Sequence, residues 1–150
     1  MKEAKSLTTH KSYGSEELDK IVGRLKTTED PRKRYEYVLW LAKKLPLMPD
    51  ELKNDANKVQ GCISEVFVLG HLINGKINWR GDSDALITKG LLALIIQGLN
   101  NLTPQEVLDI DPSFIAATGL NASLTPSRAN GFLNILLSMK TQAQKLTMGK

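Results

Sequence analysis

The sequence has few of the residues from which most disulfide, metal and thiol-enzyme sites are built. Its 150 residues include one cysteine and two histidines, and aromatic side chains make up 5% of the chain. A single cysteine excludes an intramolecular disulfide framework, a two-cysteine redox pair and the multi-cysteine sets that hold zinc or iron–sulfur clusters. His10 and His71 are 61 positions apart, so a local two-histidine metal motif is absent as well. We therefore expect no metal site and no cofactor bound to this chain.

Long apolar runs and targeting signals are also missing. The longest unbroken apolar run, residues 91–96, has six residues, whereas a membrane-spanning helix needs roughly 20. Residues 1–15 are rich in Lys, Ser and Thr but contain no apolar segment and no Arg, unlike secretory and organellar leaders. We expect residues 1–14 to be disordered and no membrane partner. A lone thiol is typical of a reducing compartment, which predicts a cytoplasmic location.

The formal net charge of +4 is spread along the chain rather than concentrated. The densest basic cluster is Arg32-Lys33-Arg34, and residues 45–84, which contain the cysteine, have four basic against six acidic side chains. A nucleic-acid surface needs basic residues on one face together with aromatic side chains for stacking. Scattered charge is more typical of a solvated surface, so we expect no nucleic-acid partner.

Apolar periodicity predicts helices on either side of one β-hairpin. Asn74-Gly75 is a two-residue type I′ turn signal, and it joins predicted strands over residues 65–73 and 76–80. Helical spacing predicts five helices, over residues 15–26, 31–45, 84–99, 104–110 and from 125 onward. This order indicates an α+β fold with helices packed on one side of a small antiparallel sheet. We expect one domain over residues 15–146, followed by a tail over residues 147–150.

The cysteine lies just before the first predicted strand. Gly61 permits a left-handed backbone there, and such a loop can present the Cys62 thiol from a rigid sheet. Composition alone favours a buried, inert cysteine, since a free cysteine packs as a small hydrophobe. A thiol protease or acyltransferase needs a nearby histidine base, and His71 lies about 25–30 Å further along an extended strand. What one thiol can do without a base is carry a group: accept sulfur, an acyl chain or glutathione and release it.

Three short blocks of the sequence, in order, resemble the SufE family over residues 15–146. They are Gln60-Gly61-Cys62-x-Ser64-x-Val66, then Gly81-Asp82-Ser83-Asp84-Ala85, then Leu124-Thr125-Pro126-Ser127-Arg128-x-x-Gly131. The chain departs from many members at Phe67, where they have Trp, which exchanges one apolar aromatic side chain for another.

The resemblance implies a fold related to the IscU type of scaffold and a role in iron–sulfur cluster assembly. A SufE-like protein accepts persulfide sulfur from a cysteine desulfurase, either SufS-like or CsdA-like, stimulates that enzyme, and passes the sulfur to a scaffold such as SufB. Cys62 would be the nucleophile and carrier, and pyridoxal phosphate would belong to the partner rather than to this chain. The protein would then not be a stand-alone enzyme. The alternative is a regulatory interaction module that stimulates a desulfurase without carrying sulfur, whereas a cluster scaffold needs several thiols.

Two charged residues have two interpretations each. Asp84 lies at the predicted start of a helix, where a capping or first-turn carboxylate is the favoured interpretation, and the family pattern suggests instead that it anchors the cysteine loop. Arg128 lies in the first turn of the last predicted helix, where a cation opposes the helix dipole. That position suggests that Arg128 pairs with an acid or contacts the partner. We also expect carboxylates near Cys62 to disfavour its thiolate.

Overall fold

The computed structural model of the chain describes residues 12–148, and these residues form six α-helices and one two-stranded sheet. The elements are α1 (Glu16–Thr27), α2 (Pro31–Lys44), β1 (Val66–Ile73), β2 (Lys76–Ser83), α3 (Leu86–Leu99), α4 (Pro104–Leu108), α5 (Phe114–Ala117) and α6 (Pro126–Met148). Three short 3₁₀ turns, Asp50–Leu52, Asp55–Asn57 and Leu120–Ala122, lie in the connections.

The hairpin is the element that the sequence predicts best. β1 and β2 pair antiparallel from Val66 opposite Ser83 to Ile73 opposite Lys76. Asn74 and Gly75 have φ values of +54° and +80°, which the type I′ turn requires at both central positions. The predicted hairpin is confirmed, and its second strand continues three residues beyond residue 80.

One face of this sheet is covered by helices. The inward side chains of Val66, Val68, Ile77 and Trp79 are buried, whereas no residue of the opposite face is fully buried. A Cβ atom on Gly81 would lie 2.8 Å from a methyl group of Leu92, so α3 lies directly against β2. The α+β class, with helices on one side of a small antiparallel sheet, is confirmed.

Helix α3 is the centre of the domain. Eleven of its fourteen residues are buried, as its continuous apolar sequence predicts. Two glycines let neighbouring helices approach it closely. A Cβ on Gly90 would overlap the carbonyl oxygen of Val38 in α2, and one on Gly98 would lie 2.8 Å from Leu18 in α1.

The observed helix ends agree with local capping signals more closely than the buried helix faces agree with apolar periodicity. The Ser15 side chain caps α1, and Thr103 with Glu106 forms the capping box that their three-residue spacing predicts at the start of α4. Apolar spacing places Tyr35 on the inner face of α2 and Leu133 on the inner face of α6, but these side chains are 37% and 39% exposed, so both placements are wrong. Leu41 of α2, and Ile135 and Met139 of α6, are buried instead, because each helix is rotated slightly relative to its predicted face. α5 was not predicted, since four residues are too few to establish a period.

Ordered structure begins before residue 15. Tyr13 is buried, its backbone N–H donates to the Asp19 carboxylate at 2.8 Å, and its carbonyl accepts from the Asp111 N–H at 2.9 Å. The expected disorder therefore does not hold for residues 12–14, and residues 1–11 lie outside the described part of the chain. At the other end α6 runs into the predicted tail as far as Met148. No helix within residues 12–148 is long and apolar enough to cross a membrane.

Candidate functional site

Cys62 lies in a short loop, residues 60–65, which we call the cysteine loop. Its base is closed by a backbone hydrogen bond from the Val59 N–H to the Val66 carbonyl, 2.8 Å long. Lys58 forms an antiparallel bridge with Phe67, so the chain entering the loop runs beside the start of β1. The hairpin therefore fixes the two ends of the loop, and only the residues between them can move without disturbing the sheet.

The Cys62 thiol is partly buried against α6. Its sulfur lies 3.9 Å from the carbonyl oxygen of Gly131, at the limit of a weak S–H hydrogen bond. Burial raises the pKa of the Cys62 thiol above its usual value. The direction is the one we expected, but the cause is burial rather than neighbouring carboxylates. The protonated thiol is therefore the dominant form at neutral pH.

An open cavity of about 330 Å³ lies beside the sulfur. It is lined by Cys62, Ile63, Ser64, Thr88, Thr125, Ser127, Arg128 and Gly131. This volume is many times the roughly 30 Å³ that one water molecule occupies in the liquid, so an added sulfur atom fits beside the thiol. Two of the predicted site residues, Cys62 and Arg128, are thus brought to the same cavity.

Arg128 lies in the first turn of α6, as the sequence predicts. Its backbone N–H donates to the Thr125 hydroxyl at 3.3 Å, and Thr125 thereby caps the helix. The Arg128 side chain is exposed, and no carboxylate of residues 12–148 lies within ion-pairing distance of it. The first interpretation of Arg128, pairing with an acid, therefore finds no partner among the described residues. The charge of Arg128 remains available to an anion in the cavity.

Asp84 does not cap α3, and the favoured interpretation of this residue is wrong. The helix begins at Leu86, and its N-cap residue Ala85 offers no side-chain hydrogen bond. The Asp84 carboxylate instead accepts the Glu65 N–H at 3.1 Å, while the Asp84 N–H donates to the Glu65 carbonyl at 3.2 Å. These two bonds extend the pairing of the hairpin by one residue, so the carboxylate binds the end of the cysteine loop.

Asp84 and Cys62 do not share a cavity. Asp84 lines a separate cavity of about 190 Å³ together with Lys53, Glu65 and Asp82. There the Asp82 carboxylate pairs with Lys53 at 2.7 Å and with Lys89 at 3.3 Å. Burial alone would raise the Asp82 pKa, but hydrogen bonds from Lys53, from the Ser83 amide and from Lys89 outweigh it and lower that pKa below its usual value. This ion pair joins the segment before the cysteine loop to β2 and α3.

Sequence reasoning missed Asn134, which lies two turns into α6. Its side-chain Nδ2 donates a hydrogen bond to the carbonyl of Gly61, the residue before Cys62, with an N–O distance of 3.0 Å. The two residues are 73 positions apart, and nothing in the local pattern around Asn134 marks it. Only the packing of α6 along β1 could reveal this contact.

Within the described part of the chain, neither a metal centre nor a histidine base is found at the thiol. Within residues 12–148 no group of three or more His, Cys, Asp or Glu side chains could hold a metal ion. His71 lines a different cavity, of about 420 Å³, with Trp79 and Asn100. Among residues 12–148, the arrangement at Cys62 is therefore a single sheltered thiol with one cation, Arg128, lining the same cavity. This set is suited to group transfer through exchange at sulfur.

Comparison with known proteins assigns this chain to a family. A family model described as "SufE: Fe-S metabolism associated domain" matches residues 19–143. The chain belongs to the SufE family. An uncharacterized SufE-like protein from Synechocystis is 55% identical over 89% of this chain and 84% of its own length.

A protein named cysteine desulfuration protein SufE, from Plasmodium vivax, is 43% identical over 74% of this chain. That match spans 46% of the Plasmodium protein, so the chain corresponds to less than half of that relative. Among solved structures, the solution structure of a hypothetical protein from Thermus thermophilus matches with a TM-score of 0.78 and 25% identity. The match covers 89% of this chain and 98% of the Thermus chain, so the whole fold is shared with this protein.

Proposed function

We propose that this SufE-family protein is a sulfur acceptor in iron–sulfur cluster assembly. Cys62 takes persulfide sulfur from a cysteine desulfurase of the SufS or CsdA type and passes it to a scaffold such as SufB. The observation that carries the proposal is the single, partly sheltered thiol beside an open cavity that also contains Arg128. The name of the Plasmodium vivax relative, cysteine desulfuration protein SufE, agrees with this role.

The transfer is a thiol exchange that needs no external oxidant. The Cys62 thiol loses its proton, and the resulting thiolate attacks the outer sulfur of the desulfurase persulfide. A bond forms between Cys62 Sγ and the outer sulfur while the bond between the two persulfide sulfurs breaks. Its electron pair leaves on the desulfurase thiolate, which takes up a proton. Cys62 then carries one additional sulfur, and the desulfurase cysteine is free for another cycle.

The resting site protects the thiol rather than activating it. Because burial raises the pKa of Cys62, little thiolate is present, and oxidation of the thiol is slow. Activation requires the thiol to leave its buried position or a cation to come closer. Arg128 is the cation in this cavity, and a docked partner that excludes water would strengthen its effect on the thiolate.

The partner supplies the chemistry that this chain lacks. Release of sulfur from free cysteine is performed by pyridoxal phosphate, which we assign to the desulfurase. This chain contributes a nucleophile, its shelter and a docking surface, so we do not expect it to turn over a substrate alone. A lone thiol of this kind fits the reducing cytoplasm, and we assign no nucleic-acid or membrane partner to the protein.

The sheltered thiol also supports a second candidate function, a regulator that stimulates a desulfurase without carrying sulfur. The two functions differ in the behaviour of Cys62→Ser, assayed with desulfurase, cysteine and limiting reductant. A carrier loses all stimulation of turnover, while its stability changes by no more than about 1 kcal/mol because one atom of a partly buried loop residue is replaced. Stimulation at the wild-type level by Cys62→Ser would establish the regulator instead.

A further inference from the structure

The cysteine loop contacts one face of α6 at two neighbouring points. The Gly61 carbonyl accepts the Asn134 side-chain amide at 3.0 Å, and the Cys62 sulfur lies 3.9 Å from the Gly131 carbonyl. Residues three apart on a helix lie on the same face, so Gly131 and Asn134 form one surface under the loop. The two contacts fall on consecutive loop residues, which makes this the point where α6 determines the position of the thiol.

The fit at Gly61 is close enough to depend on glycine. Its φ of +83° lies in the left-handed region, and a Cβ there would lie 2.6 Å from Asn134 Nδ2. The Asn134 amide therefore occupies the space that a side chain at position 61 would need. Because the Asn134 amide fits against a residue that has no side chain, this contact differs from an incidental surface hydrogen bond.

The other polar contacts of the loop act further from the sulfur. The Val59–Val66 bond closes the base of the loop, and the bonds between Asp84 and Glu65 hold its carboxyl end. None of these contacts involves the peptide group between Gly61 and Cys62. Asn134 is the side chain within residues 12–148 that donates to this peptide.

We propose that Asn134 is a positioning residue that holds Cys62 in its sheltered resting place. When its hydrogen bond to Gly61 breaks, the loop moves away from α6 and the thiol becomes accessible to a partner. The positioning role concerns the free protein, and only its consequence for sulfur transfer rests on the proposed function. The exposed side chain of Leu137 lines a surface cavity together with Asn134, so a partner seated in that cavity would contact this amide.

The expected effect follows from the loss of one hydrogen bond in a two-state loop. Removing a bond of ordinary strength increases the accessible fraction about two- to tenfold when that fraction is small at rest. The thiol should also titrate at lower pH in the variant, because the burial that raises its pKa is reduced. A residue that merely stabilised the fold would change neither quantity at equal stability.

The test is the rate of iodoacetamide alkylation of Cys62 as a function of pH, in the full chain without any partner. Asn134→Ala removes the side chain, and Asn134→Leu keeps its branched shape while removing the donor and adding no charge. The matched control is Asn130→Ala, which changes an exposed asparagine one turn earlier on the same helix. We expect about two- to tenfold faster alkylation and a lower midpoint for both Asn134 variants, with Asn130→Ala equal to wild type.

A double-substitution cycle tests whether the effect passes through Gly61. Gly61→Ala should displace the Asn134 amide, so adding Asn134→Ala to it should change the alkylation rate much less than it does in wild type. Unchanged rates and midpoints in Asn134→Ala and Asn134→Leu, at equal thermal stability, would overturn the proposal. Because no desulfurase is present, that failure is distinguishable from a failure of Cys62 to accept sulfur.

Discussion

Helix α3 and the cysteine loop are neighbours held in place by different forces. α3 buries eleven of its fourteen residues, and each large apolar side chain that is fully buried contributes about 1.5–3 kcal/mol. The cysteine loop is held by a few hydrogen bonds, each of about 0.5–1.5 kcal/mol, and Ile63 at its tip is 84% exposed. The loop can therefore open while α3 stays packed, so the Cys62 thiol can move relative to a rigid scaffold.

The largest expected effect comes from a substitution in α3, the rigid element of this comparison. Leu94 in α3 is 0% exposed, so Leu94→Ala should lower the free energy of unfolding by about 2–5 kcal/mol through lost burial and a cavity. Urea denaturation measures this change. Leu133→Ala, at a position 39% exposed, is the control and should cost less than about 1 kcal/mol. Equal, small effects at both positions would mean that α3 is not the stabilising core.

The next effect concerns the loop and its second anchor. In Asp84→Arg the acceptor for the Glu65 N–H is lost, and we expect Cys62 alkylation about two- to tenfold faster with sulfur acceptance rising too. Asp84→Asn keeps an oxygen acceptor at the same place and should alkylate at nearly the wild-type rate. Equal rates in all three proteins, at equal melting temperature, would leave Asp84 with no part in holding the loop.

The smallest expected effect is the loss, at low pH, of the stabilisation from the ion pairs of Asp82 with Lys53 and Lys89. Because the pKa of Asp82 is lowered on folding, its charged form stabilises the protein above the unfolded value of about 3.9. That contribution is lost as the pH falls through the lower folded pKa. The stability advantage of wild type over Asp82→Asn should therefore shrink between pH 6 and pH 3 in urea unfolding. A difference independent of pH would show that the Asp82 charge contributes nothing.

Local chemistry explains why much of the fold can be predicted from the sequence. The hairpin depends on Asn74-Gly75, whose backbone preferences set the turn, and the capping box depends on two residues three positions apart. Cys62 was identifiable because one cysteine leaves little choice, and Arg128 because its motif is short and contiguous. In each case the determining residues are close together in the sequence.

The parts of the site that could not be predicted depend on tertiary packing. Asp84 had two possible hydrogen-bond donors, the amides of the next helix and the Glu65 amide, and only the extension of the hairpin decides between them. Asn134 reaches Gly61 across 73 positions because α6 packs along β1. An asparagine within a helix carries no local sign of such a contact.

The most direct test of the account is the mass of the protein after incubation with a cysteine desulfurase and cysteine. We predict that wild type gains the mass of one sulfur atom on Cys62, that a reducing agent removes it, and that Cys62→Ser gains nothing. A wild-type protein that stimulates desulfurase turnover and gains no mass would contradict the account, because the movable thiol would then not be the carrier.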